Sequence, residues 1–241
     1  MDALLRSLYG ATVGGHTAAQ LADLLASKRA GQKSLHKTAG LSERDALLIT
    51  YADQLREDGV APLRTLASFC KKRLAGVVSG VHILPFCPWS SDDGFSVKDY
   101  FAVEPGYGTW KNLAALSQRF DLMFDAVFNH LSAQGEWFQC FLRDEPEFRD
   151  FFVTVEGDPD LSQVVRPRTL PLLTKFQTAR GPESVWTTFS ADQVDVNVKN
   201  PRVLLALLEA LLFYVAHGAR FIRLDAIAYL WKEIGTPCIH L

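Results

Sequence analysis

Two charged residues, Arg223 and Asp225, stand in an otherwise apolar stretch near the carboxyl end of the sequence. Their neighbours Phe221, Ile222 and Leu224 predict a buried strand. The two-residue period of a strand places Arg223 and Asp225 on the same face of it. A guanidinium beside a buried carboxylate lowers the pKa of that carboxylate, so Asp225 is a candidate nucleophile. A structural ion pair at a strand end produces the same pattern, and this motif alone leaves both interpretations open.

Two further stretches carry side chains that suit a sugar. Residues 120–130 predict a second buried strand, with Asn129 and His130 at its carboxyl end. A turn after residues 80–86 combines Asp92 with Phe95. The aromatic ring can pack on the C–H face of a sugar while the carboxylate accepts hydrogen bonds from its hydroxyls. A solvated acidic turn is the alternative interpretation.

These motifs need a scaffold in which several strands end close together. Strands are predicted at 46–51, 80–86, 121–128 and 219–225, and helices between them at 62–75, 109–119 and 201–216. Such alternation favours an α/β fold, either a (β/α)8 barrel or an open doubly wound sheet. No Gly-x-Gly-x-x-Gly motif and no P-loop follows the first strand, which weakens the nucleotide-binding form of the open sheet. The candidate residues fall at strand carboxyl ends, where barrel enzymes place their chemistry.

The amino-terminal part of the chain predicts a scaffold without chemistry. Leucines at helical spacing predict helices over residues 1–30, with a break at Gly14, Gly15 and His16 and a capping role for Thr17. Residues 31–41 are polar, contain two glycines and predict a linker.

Composition excludes several classes of protein. The chain has 241 residues, of which 48% are hydrophobic and 22% charged, so a globular core is expected. The net charge of -2 argues against nucleic acid or an anionic membrane surface as a partner. No apolar run reaches the length of a membrane span and the start lacks a signal-peptide layout, which predicts a cytoplasmic protein. The four cysteines are scattered without Cys-x-x-Cys spacing, which predicts reduced thiols and no metal site.

The motifs together resemble glycoside hydrolase family 13. Asp125 to His130 matches its D-x-V-x-N-H signature, and Arg223 to Asp225 its R-x-D signature. The sucrose phosphorylase subfamily is similar at further stretches: 48–53, 80–86, 92–95, 166–168, 193–195 and 223–226. The amino-terminal helices and residues 41–45 are more similar to the glucosylglycerate phosphorylases of that subfamily than to its short sucrose phosphorylases.

The resemblance implies roles for individual residues. Asp225 matches the nucleophile that forms a β-glucosyl-enzyme, and Arg223 the arginine that holds it ionised and oriented. His130 matches a histidine that binds glucose hydroxyls. Asp92 matches a carboxylate on the far side of the glucose, and Phe95 the ring on which the sugar stacks.

Two further residues of the donor site are implied in the same way. Gln193 matches a polar residue of that site, and Tyr229 an aromatic residue just past the nucleophile. Arg166 and Arg168 are candidates to bind an anionic acceptor such as phosphate or glycerate, with solvation at the surface as the alternative for either one.

The family's second catalytic acid is a glutamate at the end of the fifth strand, beyond the four strands predicted here. Glu233 is interpreted as an outer residue of the helix that follows the nucleophile. The expected fold is therefore a (β/α)8 TIM barrel truncated after about the fourth strand, with a small inserted domain between strands three and four. The predicted domains are a helical extension (1–41), barrel strands one to three (42–130), the inserted domain (131–190), and strand four with the start of its helix (191–241).

The activity implied is that of a retaining α-glucoside phosphorylase. An α-glucoside such as sucrose or glucosylglycerate would donate glucose to phosphate through a covalent glucosyl-enzyme, giving α-glucose 1-phosphate. Carboxyl groups do both steps, so no cofactor and no metal is expected, with inorganic phosphate as the co-substrate. The chain is expected to be inactive alone and to self-associate through an exposed barrel edge. The alternatives are a hydrolase or transglucosidase of the same family, and a non-catalytic remnant that binds sugar weakly.

Overall fold

The structure is a computed structural model that describes residues 1–29 and 40–240. The predicted linker at 31–41 lies almost entirely outside the described residues. Within the described ranges, the helices and strands follow the order below.

Six α-helices are described: α1 (Asp2–Tyr9), α2 (Ala11–Arg29), α3 (Pro62–Phe69), α4 (Trp110–Ser117), α5 (Glu136–Leu142) and α6 (Pro201–Ala216). Nine strands are described: β1 (Leu47–Thr50), β2 (Gly80–Ile83), β3 (Asp121–Val127), β4 (His130–Ser132), β5 (Thr154–Val155), β6 (Leu173–Thr178), β7 (Gly181–Trp186), β8 (Gln193–Asp195) and β9 (Ala219–Asp225).

The central sheet has four parallel strands in the order β1-β2-β3-β9. Its interior strands β2 and β3 are largely apolar, as expected where a parallel sheet is covered on both faces, and His82 and Asp125 are buried polar exceptions. Val81, Ile83, Leu122 and Phe124 are fully buried there. The register places Asp125 of β3 beside Arg223 of β9. All four predicted strands and the helices between them are confirmed.

The helices that connect these strands begin where the sequence provides a start signal. Thr109 and Asn112 form a capping box at the start of α4. The side chain of Asn200 accepts a hydrogen bond from the backbone N–H of Arg202 at the start of α6, where Pro201 takes the first turn. The predicted helix over 62–75 changes type part-way, because a π-helical segment, Cys70–Leu74, directly follows α3.

The long segment between β3 and β9 folds into antiparallel strands. β5, β7 and β6 form a three-stranded sheet, and β4 pairs with β8. A small second core lies beneath the three-stranded sheet, around Trp186 and Cys238. Phe138, Phe141 and Phe152 instead pack in the main core. The segment predicted as an inserted domain thus has its own sheet but shares aromatic packing with the barrel strands.

The predicted helix break at Gly14, Gly15 and His16 is wrong. α1 ends at Tyr9, the capping residue Gly10 adopts a φ of 79°, and α2 runs through Gly14 and Gly15 without interruption. A Cβ on Gly14 would lie 2.3 Å from the carbonyl oxygen of Leu5, so this glycine permits close contact between α1 and α2. Thr17 lies inside α2, and its hydroxyl donates to the carbonyl of Val13. Within the described residues, no helix combines the length and apolar character that a bilayer crossing requires.

Candidate active site

A pocket of about 270 Å³ opens at the carboxyl ends of β3 and β9 and at the amino end of β8. It is lined by Asp92, Phe95, His130, Arg168, Phe189, Gln193 and Asp225. The lining includes five of the seven residues that the sequence proposes as a site. The fold therefore gathers side chains that are up to 133 positions apart (225 − 92) around one small cavity.

Arg223 lies between two carboxylates beside this pocket. Its Nη2 is 3.0 Å from Oδ1 of Asp225, and its Nη1 donates to Oδ1 of Asp125. Asp125 is buried, and its other carboxylate oxygen is 2.7 Å from Nε2 of His82. The guanidinium is also stacked near Phe95, 5.8 Å from the ring centroid. The predicted pairing of Arg223 with Asp225 is confirmed, but Arg223 is shared with Asp125.

The expected lowering of the Asp225 pKa is wrong in direction. Burial disfavours the charged carboxylate and raises the pKa of Asp225 above its usual value. The charge of Arg223 opposes this effect, while the nearby carboxylate of Asp125 adds to it. Asp125, a partner of Arg223 that the R-x-D motif does not reveal, thus brings a second negative charge close to Asp225.

His130 is buried and is held through both ring nitrogens. Its Nε2 lies 3.0 Å from the carbonyl oxygen of Phe95, and its Nδ1 lies 3.3 Å from Nδ2 of Asn129. Burial lowers the pKa of His130, which favours the neutral ring. Nε2 also lies 3.2 Å from Nε2 of Gln193, so the ring is held from three sides, by Phe95, Asn129 and Gln193.

The turn that bears Asp92 and Phe95 is fastened to β8. Nε2 of Gln193 lies 2.9 Å from Oδ2 of Asp92 and 3.3 Å from the carbonyl oxygen of Phe95. Gln193 is itself buried, and its Oε1 accepts a hydrogen bond from Ser190. Asp92 is exposed and Phe95 is half-buried; both line the pocket and contact the buried Gln193 amide, Asp92 through its carboxylate and Phe95 through its carbonyl.

Comparison with known proteins supplies the family. Residues 76–240 match the model described as "Alpha amylase, catalytic domain". The chain belongs to this family, glycoside hydrolase family 13. It is 54% identical to a glucosylglycerate phosphorylase of Spirochaeta thermophila, over all of this chain and 42% of that protein. It is 56% identical to a glucosylglycerate phosphorylase of Allomeiothermus silvanus, over 88% of this chain and 38% of that protein.

A solved structure supports the same family and the barrel. The crystal structure of a sucrose 6F-phosphate phosphorylase from Thermoanaerobacter thermosaccharolyticum superposes with a TM-score of 0.77 at 34% identity. The match covers 86% of this chain and 44% of that one. The chain thus spans less than half the length of the relatives that it matches. The predicted α/β fold is confirmed, with four parallel strands that correspond to part of a family 13 barrel.

Three residues outside the R-x-D and D-x-V-x-N-H motifs complete the description of this family 13 site. Arg168 lines the pocket, whereas the guanidinium of Arg166 donates to the carbonyl of Leu170. Tyr229 is not among the lining residues. Its ring meets the pocket residue Phe189 edge to face, with centroids 5.6 Å apart.

Lys232 is a buried residue that sequence reasoning missed. Its Nζ lies 2.6 Å from Oδ2 of Asp195, 2.6 Å from Oδ1 of Asn129 and 2.5 Å from the carbonyl oxygen of Tyr229. Three acceptors thus match the three protons of an ammonium group. Asn129 in turn donates to Asp195 and to His130. The carboxylate and the ammonium fix which way the Asn129 amide points, and the amide fixes the His130 ring.

The predicted helix after β9 is wrong within the described residues. Only a 3-10 turn, Ile227–Tyr229, follows the strand, and residues 230–240 are irregular, without helix or strand. Lys232 points inward to its buried partners, and Gly235 adopts a φ of 88°. Glu233 lies outside the pocket, as expected, where it pairs with Lys199 at 2.8 Å. The described residues contain no cluster of three or more His, Cys, Asp or Glu suited to a metal ion.

Proposed function

We propose that this chain carries the glucose-binding and nucleophilic part of a retaining α-glucoside phosphorylase. The observation that supports the proposal best is the position of Asp225. Its carboxylate is held by Arg223 and opens into a small pocket whose walls combine an aromatic ring, Phe95, with the polar groups of His130 and Gln193. An aromatic face with convergent polar groups suits a sugar. Relatives over 50% identical are glucosylglycerate phosphorylases, which supports phosphate as the acceptor.

The first step is a displacement at the anomeric carbon. The Asp225 carboxylate attacks that carbon, the glycosidic C–O bond breaks, and the leaving oxygen takes a proton from a carboxylic acid. The product is a β-glucosyl ester on Asp225. Asp92 is the other carboxyl group of the lining, but it bonds to Gln193 and is assigned to the sugar hydroxyls. The residues that line the pocket therefore do not supply the proton donor of this step.

In the second step a phosphate oxygen attacks the same carbon from the opposite face. The ester bond to Asp225 breaks and α-glucose 1-phosphate leaves, so two inversions give retention. Arg168 is the candidate that binds the phosphate, because it lines the pocket and a guanidinium can bond to two phosphate oxygens at once. Arg166 is a weaker candidate, since it does not line the pocket and its guanidinium already bonds to Leu170.

The nucleophile can be tested without the proton donor. α-Glucosyl fluoride needs little acid assistance, because fluoride is a good leaving group. We expect the chain incubated with it to gain the mass of one glucosyl unit, on the peptide that contains Asp225, with release of fluoride. Asp225→Asn should abolish the adduct, whereas Asp93→Asn, an exposed carboxylate of the 3-10 turn Asp92–Gly94, should leave it unchanged. An adduct on another residue, or one that persists in Asp225→Asn, would remove Asp225 from the role.

The acceptor is tested by resolving that adduct. Addition of phosphate should release α-glucose 1-phosphate, and Arg168→Lys should slow this release more than the formation of the adduct. Release of free glucose at the same rate with and without phosphate would indicate a hydrolase instead. Release of a disaccharide after addition of a sugar would indicate a transglucosidase.

A further inference from the structure

The turn over residues 90–96, which bears Asp92 and Phe95, has an unfavourable backbone. Asp92, Asp93 and Gly94 have φ values of 56°, 48° and 101° in succession. Residues with a side chain rarely occupy this left-handed region, although aspartate tolerates it better than most. Such a backbone persists where surrounding contacts determine it. The contacts that hold this turn therefore matter for the position of the two side chains.

One carboxylate outside the pocket, that of Asp192, accepts hydrogen bonds from the serine hydroxyls of this turn. Oδ2 of Asp192 accepts hydrogen bonds from Ser90 and Ser91, each at 2.5 Å, and from Ser96 at 2.8 Å. The hydroxyl of Ser96 also lies 3.1 Å from the Asp192 carbonyl oxygen. Ser132 of β4 joins the group through Ser90, at 2.6 Å between hydroxyl oxygens. Ser90 and Ser91 precede the left-handed residues and Ser96 follows them, so Asp192 holds both ends of the turn.

The middle of the turn is held by the next residue along the chain. Gln193 donates to Asp92 and to the carbonyl of Phe95, as described above. Gln193 belongs to β8, which pairs with β4 so that Ser132 faces Gln193 and His130 faces Asp195. The turn, Gln193 and His130 are thus parts of one hydrogen-bonded unit. Asp192 is placed at the beginning of that unit.

We propose that Asp192 is a positioning residue of the glucose site: by accepting serine hydroxyls from both ends of the 90–96 turn, it fixes Asp92 and Phe95 against Gln193 and His130. Asp192 is not among the residues that line the pocket, so it acts through the turn and not on the sugar. The inference rests on the proposed function, because the position of the turn matters only if the pocket binds a glucosyl group.

The test uses Asp192→Ala in the full chain, with hydrogen exchange measured by mass spectrometry. The reporter amides are Ser90 N–H, which donates to the Ser96 carbonyl, and Lys98 N–H, which donates to the Pro88 carbonyl. We expect exchange of peptides over 88–98 to accelerate about tenfold or more, since the turn loses several bonds to a charged acceptor. Peptides of β2 and α6 should keep their exchange rates. Asp93→Asn is the control, because Asp93 lies in the same turn but outside the serine cluster.

The second readout is binding of glucose, followed by ligand-detected NMR. We expect Asp192→Ala to weaken glucose binding about tenfold, and Asp93→Asn to leave it unchanged. Ser91→Ala removes a single donor, so it should accelerate exchange over 88–98 and weaken glucose binding by less than Asp192→Ala does. It replaces Asp192→Ala as the test variant if Asp192→Ala does not fold.

Two results would overturn the inference. Unchanged exchange over 88–98 would mean that Asp192 does not hold the turn. Equal acceleration in every peptide would mean that Asp192 contributes only to global stability. A wild-type chain that binds no glucose argues against the proposed function, while the exchange measurement still decides whether Asp192 fixes the turn.

Discussion

Replacement of Lys232 by methionine tests the buried network behind His130. The side chains of Lys232, Asp195 and Asn129 are almost fully buried, and the lysine ammonium supplies a hydrogen bond to each of the other two. Methionine has a similar length but carries no charge and no donor. The variant therefore leaves a buried carboxylate without its counter-ion and the Asn129 oxygen without a donor.

The expected loss of stability is large for one substitution. Removing one partner of a buried ion pair costs about 3–5 kcal/mol. The orphaned oxygens of Asn129 and Tyr229 move the expectation toward the upper part of that range, since an unsatisfied buried acceptor costs about 1–3 kcal/mol. A domain is stable by only about 5–15 kcal/mol, so the variant would lose a substantial share of it.

Equilibrium unfolding in urea, followed by tryptophan fluorescence, measures this loss. Trp186 is fully buried and reports on the packed state. The control is Lys199→Met, because Lys199 also pairs with a carboxylate, Glu233, but is exposed, and its loss should cost about 0–1 kcal/mol. The double variant Lys232→Met with Asp195→Asn should recover at least about 1 kcal/mol, since no lone buried charge remains. A loss below about 1 kcal/mol for Lys232→Met would refute the reasoning.

Three other predictions follow from separate regions of the molecule. Gly14→Ala should destabilise the chain by about 1–3 kcal/mol, because the new Cβ would clash with backbone atoms of α1. Gly15→Ala should be tolerated, because its Cβ would meet only the tip of the Arg6 side chain, and thermal unfolding of the two variants measures the difference. Asp225→Asn should stabilise the chain at neutral pH. The raised pKa means that ionised Asp225 lowers the stability of the wild type. The gain from the substitution should therefore be absent below about pH 3.8 and should grow as the pH rises through the raised pKa; a gain that grows toward acid pH would contradict this sign. Light scattering should show that the chain self-associates, because Ile49 of the edge strand β1 and Leu224 of the edge strand β9 are 63% and 48% exposed. The double variant Ile49→Lys with Leu224→Lys should reduce this association, and a strictly monomeric wild type would contradict the prediction.

Local sequence patterns were sufficient to predict the strands and helices of the scaffold. The strands around Val81, Phe124 and Ile222 are short apolar runs, and the intervening helices have start signals such as Asn200 with Pro201. A strand's period and a helix cap depend on residues within a few positions of one another, so one sequence reveals them. The same holds for Arg223 and Asp225 on one face of β9, which are two positions apart.

The environment of those groups was decided by residues far away in the chain. Asp125 bonds to the Arg223 guanidinium only because β3 lies next to β9 in register, and burial of Asp225, together with the nearby charge of Asp125, reverses the expected pKa shift of Asp225. Lys232 contacts Asn129 from 103 positions away. The segment around Lys232 therefore turns inward, where the sequence had predicted an outer helix. Charge balance and desolvation depend on every group within a few ångströms, whichever part of the chain supplies it. The sequence by itself therefore determined which strands form and which of their ends carry chemistry, and only the tertiary structure determined which charges those ends share.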